Sequence, residues 1–210
     1  MRVLLVNGSP RKNGCTYTAL SEIAGELEKQ GIDADIFWIG TKPISGCLAC
    51  GSCVKTGECA IKDVVNEAAE LLPEYDGYIF SSPVYYSGIN GSMMSFMDRL
   101  CYSTSRGGKS PFNHKPCASI VSARRAGTTS ALDQLNKYTM YSQSVVIASQ
   151  YWAMVHGNTP DEVRQDAEGL QIMRTLARNM AWFLKIKEAG LEAGVPYPET
   201  EPRVATNFIR

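Results

Sequence analysis

The chain has 210 residues, a length that favours one domain with a large hydrophobic core over two small domains. Its hydrophobic content of 44% and charged content of 20% are ordinary for a globular protein. Because 21 basic residues balance 21 acidic ones, the zero net charge provides no general electrostatic attraction to nucleic acids or anionic membranes. We therefore expect neither a nucleic-acid partner nor a membrane partner.

The N-terminal sequence and the cysteine content bear on the cellular compartment. The opening MRVLLVNGSPRKNG has only a short apolar run before polar residues begin, which is too short for a secretory signal. No stretch approaches the roughly 20 apolar residues of a membrane-spanning helix. We therefore predict a cytoplasmic protein, in which the seven cysteines stay reduced rather than forming a disulfide framework.

The first part of the chain alternates strand and helix patterns. An apolar run over residues 2–7 predicts a buried strand that stops at Asn-Gly-Ser-Pro. Apolar residues at spacings of three and four predict a helix over 19–27. A second strand is predicted over 34–38. After a cysteine-rich segment, a short helix is predicted over 64–72, with Asp63 as its N-cap.

The alternation continues through the middle of the chain. A third strand is predicted over 78–81, broken by Pro83. Helical spacing of apolar residues returns over 93–100. A fourth strand over 116–122 is followed by a fourth helix over 130–141.

The last elements are a strand and a long helix. The run 144–152 predicts the fifth strand. Thr159, followed by Pro160 and by Glu162 three residues on, predicts the capped start of the longest helix, whose apolar stripe runs over 163–184. The order of these elements predicts an α/β fold, a doubly wound five-stranded parallel sheet with helices on both faces.

The dinucleotide-binding and flavodoxin-like windings are the two commonest plans for such a sheet. In both plans, ligands bind beyond the carboxyl ends of the strands, near the point where the strand order reverses. We therefore expect the functional residues in the loops after the first, third and fourth strands.

The loop after the first strand, Gly8-Ser9-Pro10-Arg11-Lys12-Asn13-Gly14-Cys15-Thr16, is rich in polar side chains and precedes a helix. Free N–H groups and the positive end of the helix dipole favour an anion there. The loop lacks the G-x-G-x-x-G fingerprint, and the chain has no Walker motif. A polar loop with an ordinary helix cap is the alternative.

The motifs resemble a known family. GSPRKNGCT resembles the first loop of the NAD(P)H-dependent FMN reductases, and SSPVYYSGINGSMMSFMDR, residues 81–99, is similar to their second loop segment. The order of the four clustered cysteines resembles the iron–sulfur flavoprotein branch, as does the helix sequence TPDEVRQDAEGLQIM. The resemblance implies a flavodoxin-like FMN-binding domain over 1–190, with a cysteine-rich insertion at 43–62 and an extended tail over 191–210.

The resemblance also implies which residues hold FMN. Those expected to hold its phosphate are Ser9, Arg11, Asn13, Cys15 and Thr16. Cys15 departs from the many relatives that have Asn or Ser there, so we expect its N–H to contribute more than its thiol. Those expected along the isoalloxazine are Pro83, Val84, Tyr85, Tyr86, Ser87 and Gly88. In the loop after the fourth strand, Arg124 and Gly127 are expected at the negative edge of the reduced flavin; a nicotinamide phosphate or solvent is an alternative partner for the arginine.

The segment CLACGSCVKTGEC resembles a ferredoxin-type ligand run with a longer last gap. The resemblance implies a 4Fe–4S cluster held by Cys47, Cys50, Cys53 and Cys59. A zinc site, a redox thiol pair and a metal-free loop are the alternatives.

The implied function is that of an FMN-dependent oxidoreductase reduced by NAD(P)H. It would transfer electrons between flavin and the cluster, or to a small-molecule or redox-protein acceptor. No side chain is assigned a catalytic role, because the isoalloxazine carries out the chemistry. The alternatives are a non-enzymatic flavodoxin-type electron carrier and a zinc-stabilised flavoprotein without a cluster. We expect a homodimer or homotetramer, with contacts from the methionine-rich helix and the tail.

Overall fold

The computed structural model describes residues 1–105, 110–141 and 143–201, together with residues 204, 206 and 208. Its strands are β1 (Arg2–Asn7), β2 (Asp33–Trp38), β3 (Gly77–Tyr85), β4 (Gly88–Ile89), β5 (Pro116–Ala123), β6 (Val145–Val146) and β7 (Met154–His156). Its helices are α1 (Cys15–Lys29), α2 (Ser52–Thr56), α3 (Val64–Leu71), α4 (Gly91–Ser105), α5 (Thr128–Tyr141), α6 (Pro160–Gln165) and α7 (Ala167–Glu192). None of the helices in this part of the chain combines the length and apolarity needed to cross a membrane.

The sheet has the order β2–β1–β3–β5–β6, with β7 also paired to β5, and all of these pairs are parallel. If β6 and β7 are counted as one position, this is the flavodoxin-like order 2-1-3-4-5. The order reverses between β1 and β3, so a crevice opens at their carboxyl ends. The short β4 adds an antiparallel pair at the end of β3. The predicted doubly wound α/β fold is confirmed.

The two faces of the sheet carry two hydrophobic clusters, as the period-two geometry of a strand requires. On β1, Leu4 and Val6 face the cluster formed with α3, α4 and α5. Val3 and Leu5 face the cluster formed with α1 and α7. All eight residues of β5 are buried, since helices cover both of its faces.

β3 runs through Pro83, so the prediction that this proline breaks the third strand after residue 81 is wrong. The Gly8 N–H donates to the Ser81 carbonyl at 3.0 Å, which shows that the backbone groups of Ser81 point toward β1. Those of Pro83, two residues further on, point the same way. Because β1 ends at Asn7, opposite Ser81, the missing proline N–H leaves no partner unsatisfied.

The predicted fifth strand over 144–152 is wrong in its bounds, because the chain forms the two short strands β6 and β7. Between the pairs Cys117–Val146 and Val121–Met154, β5 advances by four residues while the outer chain advances by eight. Four extra residues therefore bulge out of the sheet. An asparagine side chain of α7 donates to the carbonyl of Ala148 at 2.8 Å, which gives the bulge a partner outside the sheet.

The prediction of one long helix after Thr159 is also wrong, because two helices form there. The Thr159 hydroxyl accepts from the Glu162 N–H at 3.2 Å and caps only the six-residue α6. Asp166 leaves the helical conformation, and its carboxylate accepts from the Gly169 N–H at 2.9 Å to start α7. The same carboxylate accepts from the His156 N–H at 2.7 Å, which joins the break to the end of β7.

The other predicted helices agree with the structure within a few residues. Asp63 caps α3 as predicted and accepts from the Val65 N–H at 3.0 Å. α7 ends at Glu192, and residues 195–201 have no regular structure. Part of the predicted tail over 191–210 lies outside the described residues, so the division into a domain over 1–190 and a tail stays a prediction.

Candidate functional site

A cavity of about 190 Å³ lies at the carboxyl ends of β1, β3 and β5, where the strand order reverses. Eight of the thirteen residues predicted to bind cofactor line it, and they come from all three predicted loops. They are Ser9, Arg11, Cys15, Thr16, Pro83, Val84, Tyr85 and Arg124. The parallel winding therefore brings residues more than a hundred positions apart to one crevice.

One wall of this cavity is the N-terminus of α1. The helix begins at Cys15 after the N-cap Gly14, no side chain caps it, and its first turn contains no acidic residue. Its first N–H groups therefore lack intrahelical or side-chain partners and carry the positive end of the helix dipole. With the Arg11 guanidinium on the same wall, these groups suit a ligand anion such as a phosphate.

Internal hydrogen bonds set the shape of the first loop. The Asn7 side chain accepts from the Ser9 N–H at 3.0 Å and donates to the Lys12 carbonyl at 3.0 Å. The Ser9 hydroxyl accepts from the Arg11 N–H at 3.1 Å, which leaves its own proton to donate to a ligand. The Trp38 indole N–H donates to the Ser9 carbonyl at 2.7 Å.

Asn7 and Trp38 hold the first loop in shape, and the sequence motifs indicated neither of them. A fully buried asparagine at the end of a buried strand is a signal that could have identified the first of them. No sequence signal pointed to Trp38, because its contact with the loop depends on how β2 is placed beside β1.

Cys15 and Thr16 contribute to the cavity in different ways. The Cys15 thiol donates to the Gly157 carbonyl at 3.5 Å, and burial raises the pKa of this thiol. The sulfur is therefore neutral and already bonded to a carbonyl at the edge of the cavity, which leaves the backbone N–H of Cys15 to meet a ligand. The hydroxyls of Thr16 and Ser122 lie 2.8 Å apart in the buried interior, and their hydrogen bond joins the end of the first loop to β5.

The second loop turns sharply between β3 and β4. Tyr86 and Ser87 have positive φ values of 49° and 60°, and the Tyr86 side chain is fully exposed. A Cβ added to Gly127 would lie 2.7 Å from the Ser87 Cα, so the second and third loops approach as closely as glycine permits. Gly88 approaches Gln134 of α5 in a similar way, since its added Cβ would lie 3.2 Å from the side-chain oxygen.

Five of the thirteen predicted residues do not line the cavity: Asn13, Tyr86, Ser87, Gly88 and Gly127. Asn13 borders a different cavity, together with Glu22 of α1 and Arg164 of α6. Ser87 and Gly127 form the close contact between the second and third loops, and Gly88 lies against Gln134 of α5. The Arg124 side chain lines the cavity and is otherwise exposed, so it is accessible to a ligand from solvent.

The four clustered cysteines line a second cavity. Cys47 and Cys50 are exposed, Cys59 is half-buried, and Cys53 is buried in α2. The short helix has a glycine with positive φ at each end, so the chain reverses on both sides of Cys53. All seven cysteines are free thiols. The winding of the loop therefore presents the four predicted metal ligands to one space.

The donor set in this second cavity is chemically suited to iron. Four thiols line this one cavity, and four cysteines, each bound to a different iron, are the ligand number that a 4Fe–4S cluster requires. A tetrahedral zinc site instead requires all four sulfurs within about 2.3 Å of one ion. Among residues 1–105, 110–141 and 143–201, no group of three or more His, Cys, Asp or Glu side chains is placed to hold a metal ion.

Arg99 of α4 closes the cysteine cavity from the protein interior. Its side chain is only 1% exposed and forms a bidentate ion pair with Asp63, with N–O distances of 2.6 and 3.0 Å. The sequence analysis assigned this arginine no role at a cofactor. Its position among the apolar residues of α4 is a signal that could have indicated a buried, paired cation.

The fold defines a flavodoxin-like protein, in which the uncapped N-terminus of α1 lies at a cavity beyond the strand ends. An iron-sulfur flavoprotein of Methanocaldococcus jannaschii is 26% identical to this chain over 195 residues, which cover 89% of this chain and 98% of that protein. RosB with bound 8-demethyl-8-formylriboflavin-5'-phosphate has a TM-score of 0.69 at 12% identity, and the alignment covers 100% of this chain and 92% of RosB. A flavodoxin from the domain Archaea has a TM-score of 0.58 at 16% identity and coverages of 88% and 99%.

At these identities, the two solved structures show the fold alone. The model of the NADPH-dependent FMN reductase family matches residues 1–159. The chain therefore belongs to the NADPH-dependent FMN reductase family, and we conclude that it is a flavin oxidoreductase. This confirms the family resemblance seen in the sequence motifs.

Proposed function

We propose that the protein binds FMN in the cavity at the carboxyl ends of β1, β3 and β5 and accepts electrons there from NAD(P)H. A 4Fe–4S cluster, which the four clustered cysteines would hold, would supply one-electron transfer from the flavin; a small molecule or a redox protein is the other acceptor we propose. The observation that carries the proposal is the uncapped N-terminus of α1, which faces a cavity shared by three strand-end loops.

In this proposal, the first loop holds the FMN phosphate. The Ser9 hydroxyl, the Arg11 guanidinium and the first N–H groups of α1 supply charge-assisted hydrogen bonds. Cys15 contributes its N–H, and Thr16 holds the first loop against β5 through its hydrogen bond with Ser122. Asn13 borders the neighbouring cavity, so its contribution is the backbone of the loop.

The second and third loops receive the isoalloxazine. The wall formed by Pro83, Val84 and Tyr85 provides apolar surface and backbone groups. Arg124 provides positive charge that stabilises electron density on a reduced ring. FMN, when bound, accepts a hydride and releases its electrons singly. The protein's part is to position the ring and to limit the access of water.

A direct test compares the binding of FMN with that of riboflavin, which lacks the phosphate. We expect FMN to bind at least 10-fold more tightly, because one charge-assisted hydrogen bond contributes about 1.5–3 kcal/mol. Arg11→Gln should weaken FMN binding by a similar factor and leave riboflavin binding unchanged. Lys185→Gln, an equal charge change on an exposed face of α7, serves as the matched control. Equal affinities of the wild type for FMN and riboflavin would contradict the proposed phosphate site.

Stopped-flow reduction by NADPH or NADH, without oxygen, separates an enzyme from an electron carrier. We expect bleaching of the flavin absorbance within the time of catalytic turnover. A protein that is reduced by dithionite but by neither nicotinamide would be a flavodoxin-type carrier instead.

The cluster is tested by iron and sulfide analysis of protein purified without oxygen. We expect about four of each per chain in the wild type. Cys59→Ser should lower both values. Zinc in place of iron, without sulfide, would favour the zinc-stabilised alternative.

We further propose that the protein is a cytoplasmic homodimer or homotetramer. Met93 and Met97 of the methionine-rich helix are fully buried inside the chain, so they belong to the core and are not available to a second copy. α7 instead exposes Trp182 (65%) and Ile186 (47%) one turn apart, which favours this helix as a contact. Light scattering that shows a monomer at micromolar concentration would contradict the proposed assembly.

A further inference from the structure

A single guanidinium holds both borders of the cysteine-rich segment. Before the cysteines, Arg99 Nη1 donates to the Ser45 carbonyl at 3.4 Å. After them, Arg99 Nη2 donates to the Ile61 carbonyl at 2.7 Å, and both terminal nitrogens bind the Asp63 carboxylate. The segment is therefore fastened to α4 where it begins and where it ends.

The fifth donor of the same guanidinium contacts a thiol. Arg99 Nε donates to the Cys59 sulfur at 3.3 Å. With this bond, each of the five N–H groups of the arginine has a partner. The five hydrogen bonds together fix the orientation of the guanidinium plane. A lysine has no planar fork and cannot occupy these five positions together.

We propose that Arg99 is a positioning residue for the iron–sulfur site: it holds Cys59 in the ligand set and raises the reduction potential of the cluster. This inference rests on the proposed function. Reduction potentials of thiolate-ligated clusters depend on net charge, on hydrogen bonds to the sulfurs and on exposure to solvent. A buried cation that donates to a ligand sulfur stabilises the form that carries one more negative charge.

The arrangement predicts opposite effects for the two members of the ion pair. Arg99→Gln removes the cation and the bond to sulfur, so the reduction potential should fall. Asp63→Asn removes the compensating anion, so the potential should rise. Asparagine is also a good N-cap residue, and the start of α3 should therefore survive this second substitution.

The experiment measures the one-electron midpoint potential of anaerobically reconstituted protein by dithionite titration followed by absorbance and electron paramagnetic resonance. We expect at least a 10-fold change in the oxidised-to-reduced equilibrium for each variant, which is about 59 mV for one electron. Lys55→Gln makes an equal charge change at an exposed site of the same segment and should leave the potential unchanged.

The outcomes separate a positioning role from a purely structural one. A structural anchor predicts lower iron content and lower thermal stability, with the wild-type potential in the fraction that retains iron. That result would overturn the inference. If Arg99→Gln does not fold, the decision rests on Asp63→Asn, and an unchanged potential in this variant would overturn the inference as well.

Measurements of iron and sulfide in the wild-type protein distinguish a failure of the proposal about Arg99 from a failure of the proposed function. Wild-type protein that binds FMN but takes up neither iron nor sulfide would remove the cluster from the proposed function, and the inference about Arg99 with it. Wild-type protein that takes up both but shows equal potentials in all variants would leave the proposed function intact and refute only the inference.

Discussion

The contact between the second and third loops allows one sharp test of the flavin site through Gly127→Ala. Gly127 has a φ of +91°, and a Cβ at this position would lie 2.7 Å from the Cα and 2.8 Å from the hydroxyl oxygen of Ser87. Real Cβ atoms essentially never approach other atoms so closely, so one loop must move. Since the contacted atom belongs to the backbone, a rotamer change of Ser87 cannot relieve the clash.

The expected effect of Gly127→Ala is the sum of two free-energy costs. Placing alanine in a left-handed conformation costs about 1–2 kcal/mol. Overpacking costs about 1–3 kcal/mol more. If the loops stay together, the two costs lower the free energy of unfolding by about 2–5 kcal/mol in total. If the loops separate, the cavity is no longer preorganised, and FMN binding becomes weaker. We therefore expect the Kd for FMN to rise by at least about 30-fold, which corresponds to about 2 kcal/mol.

The assay is FMN titration followed by flavin fluorescence, together with a thermal melt of the same protein. Gly25→Ala is the matched control, because its added Cβ meets nothing within 4 Å and it lies inside α1. That substitution should leave FMN binding unchanged and raise stability by about 0.5–1 kcal/mol. A folded Gly127→Ala variant with wild-type affinity for FMN would refute the argument that loop contact shapes the site.

Three further predictions concern burial and charge. The Arg178 guanidinium beside Glu26 lowers the pKa of this buried carboxyl. The carboxylate therefore stabilises the fold at pH values above its unfolded-state pKa of about 4.3. This contribution to stability is lost as the pH falls through the lower pKa of the folded state. Glu26→Gln should therefore cost about 1.5–3 kcal/mol in urea unfolding at pH 7, with the difference shrinking below about pH 4; a constant difference down to pH 2 would contradict this. Cys15→Ser should change the Kd for FMN less than about 3-fold, because the thiol already bonds a carbonyl, and a loss of more than 10-fold would show that the sulfur contacts the ligand. Tyr78→Phe removes a buried hydroxyl that donates to a carbonyl at 2.6 Å and accepts from Lys115 at 2.9 Å. The melting temperature should therefore fall by an amount equivalent to about 1–3 kcal/mol. An unchanged melting temperature would show that water replaces the hydroxyl.

Much of the fold could be predicted because the hydrophobic periodicity and the capping residues of each segment favour the same structure that the segment adopts in the folded protein. The apolar run over 2–7, the helical spacing over 19–27 and the Asp63 cap all appear where the sequence placed them. The position of the first loop also followed from the sequence, since a parallel sheet places its ligand site beyond the strand ends. These features depend on residues that are near one another in the chain.

The errors share one physical cause, which is that distant partners override local preference. The run 144–152 has strand-like residues, but α7 donates a hydrogen bond to its backbone at Ala148, where four residues leave the sheet. The helix after Thr159 stops at Asp166 because this carboxylate serves both Gly169 and His156. Neither partner can be recognised from spacing alone.

The amino-acid sequence by itself determined the alternation of strands and helices and the family motifs of the loop after β1, and it predicted an anion site in that loop and a ligand set of four cysteines, since each of these is encoded in adjacent residues. Only the tertiary structure decided that Ser87 touches Gly127, that the Cys15 thiol donates to the Gly157 carbonyl and that Arg99 donates to Cys59. These contacts join residues between 40 and 142 positions apart, and their geometry arises only when the sheet and helices pack together.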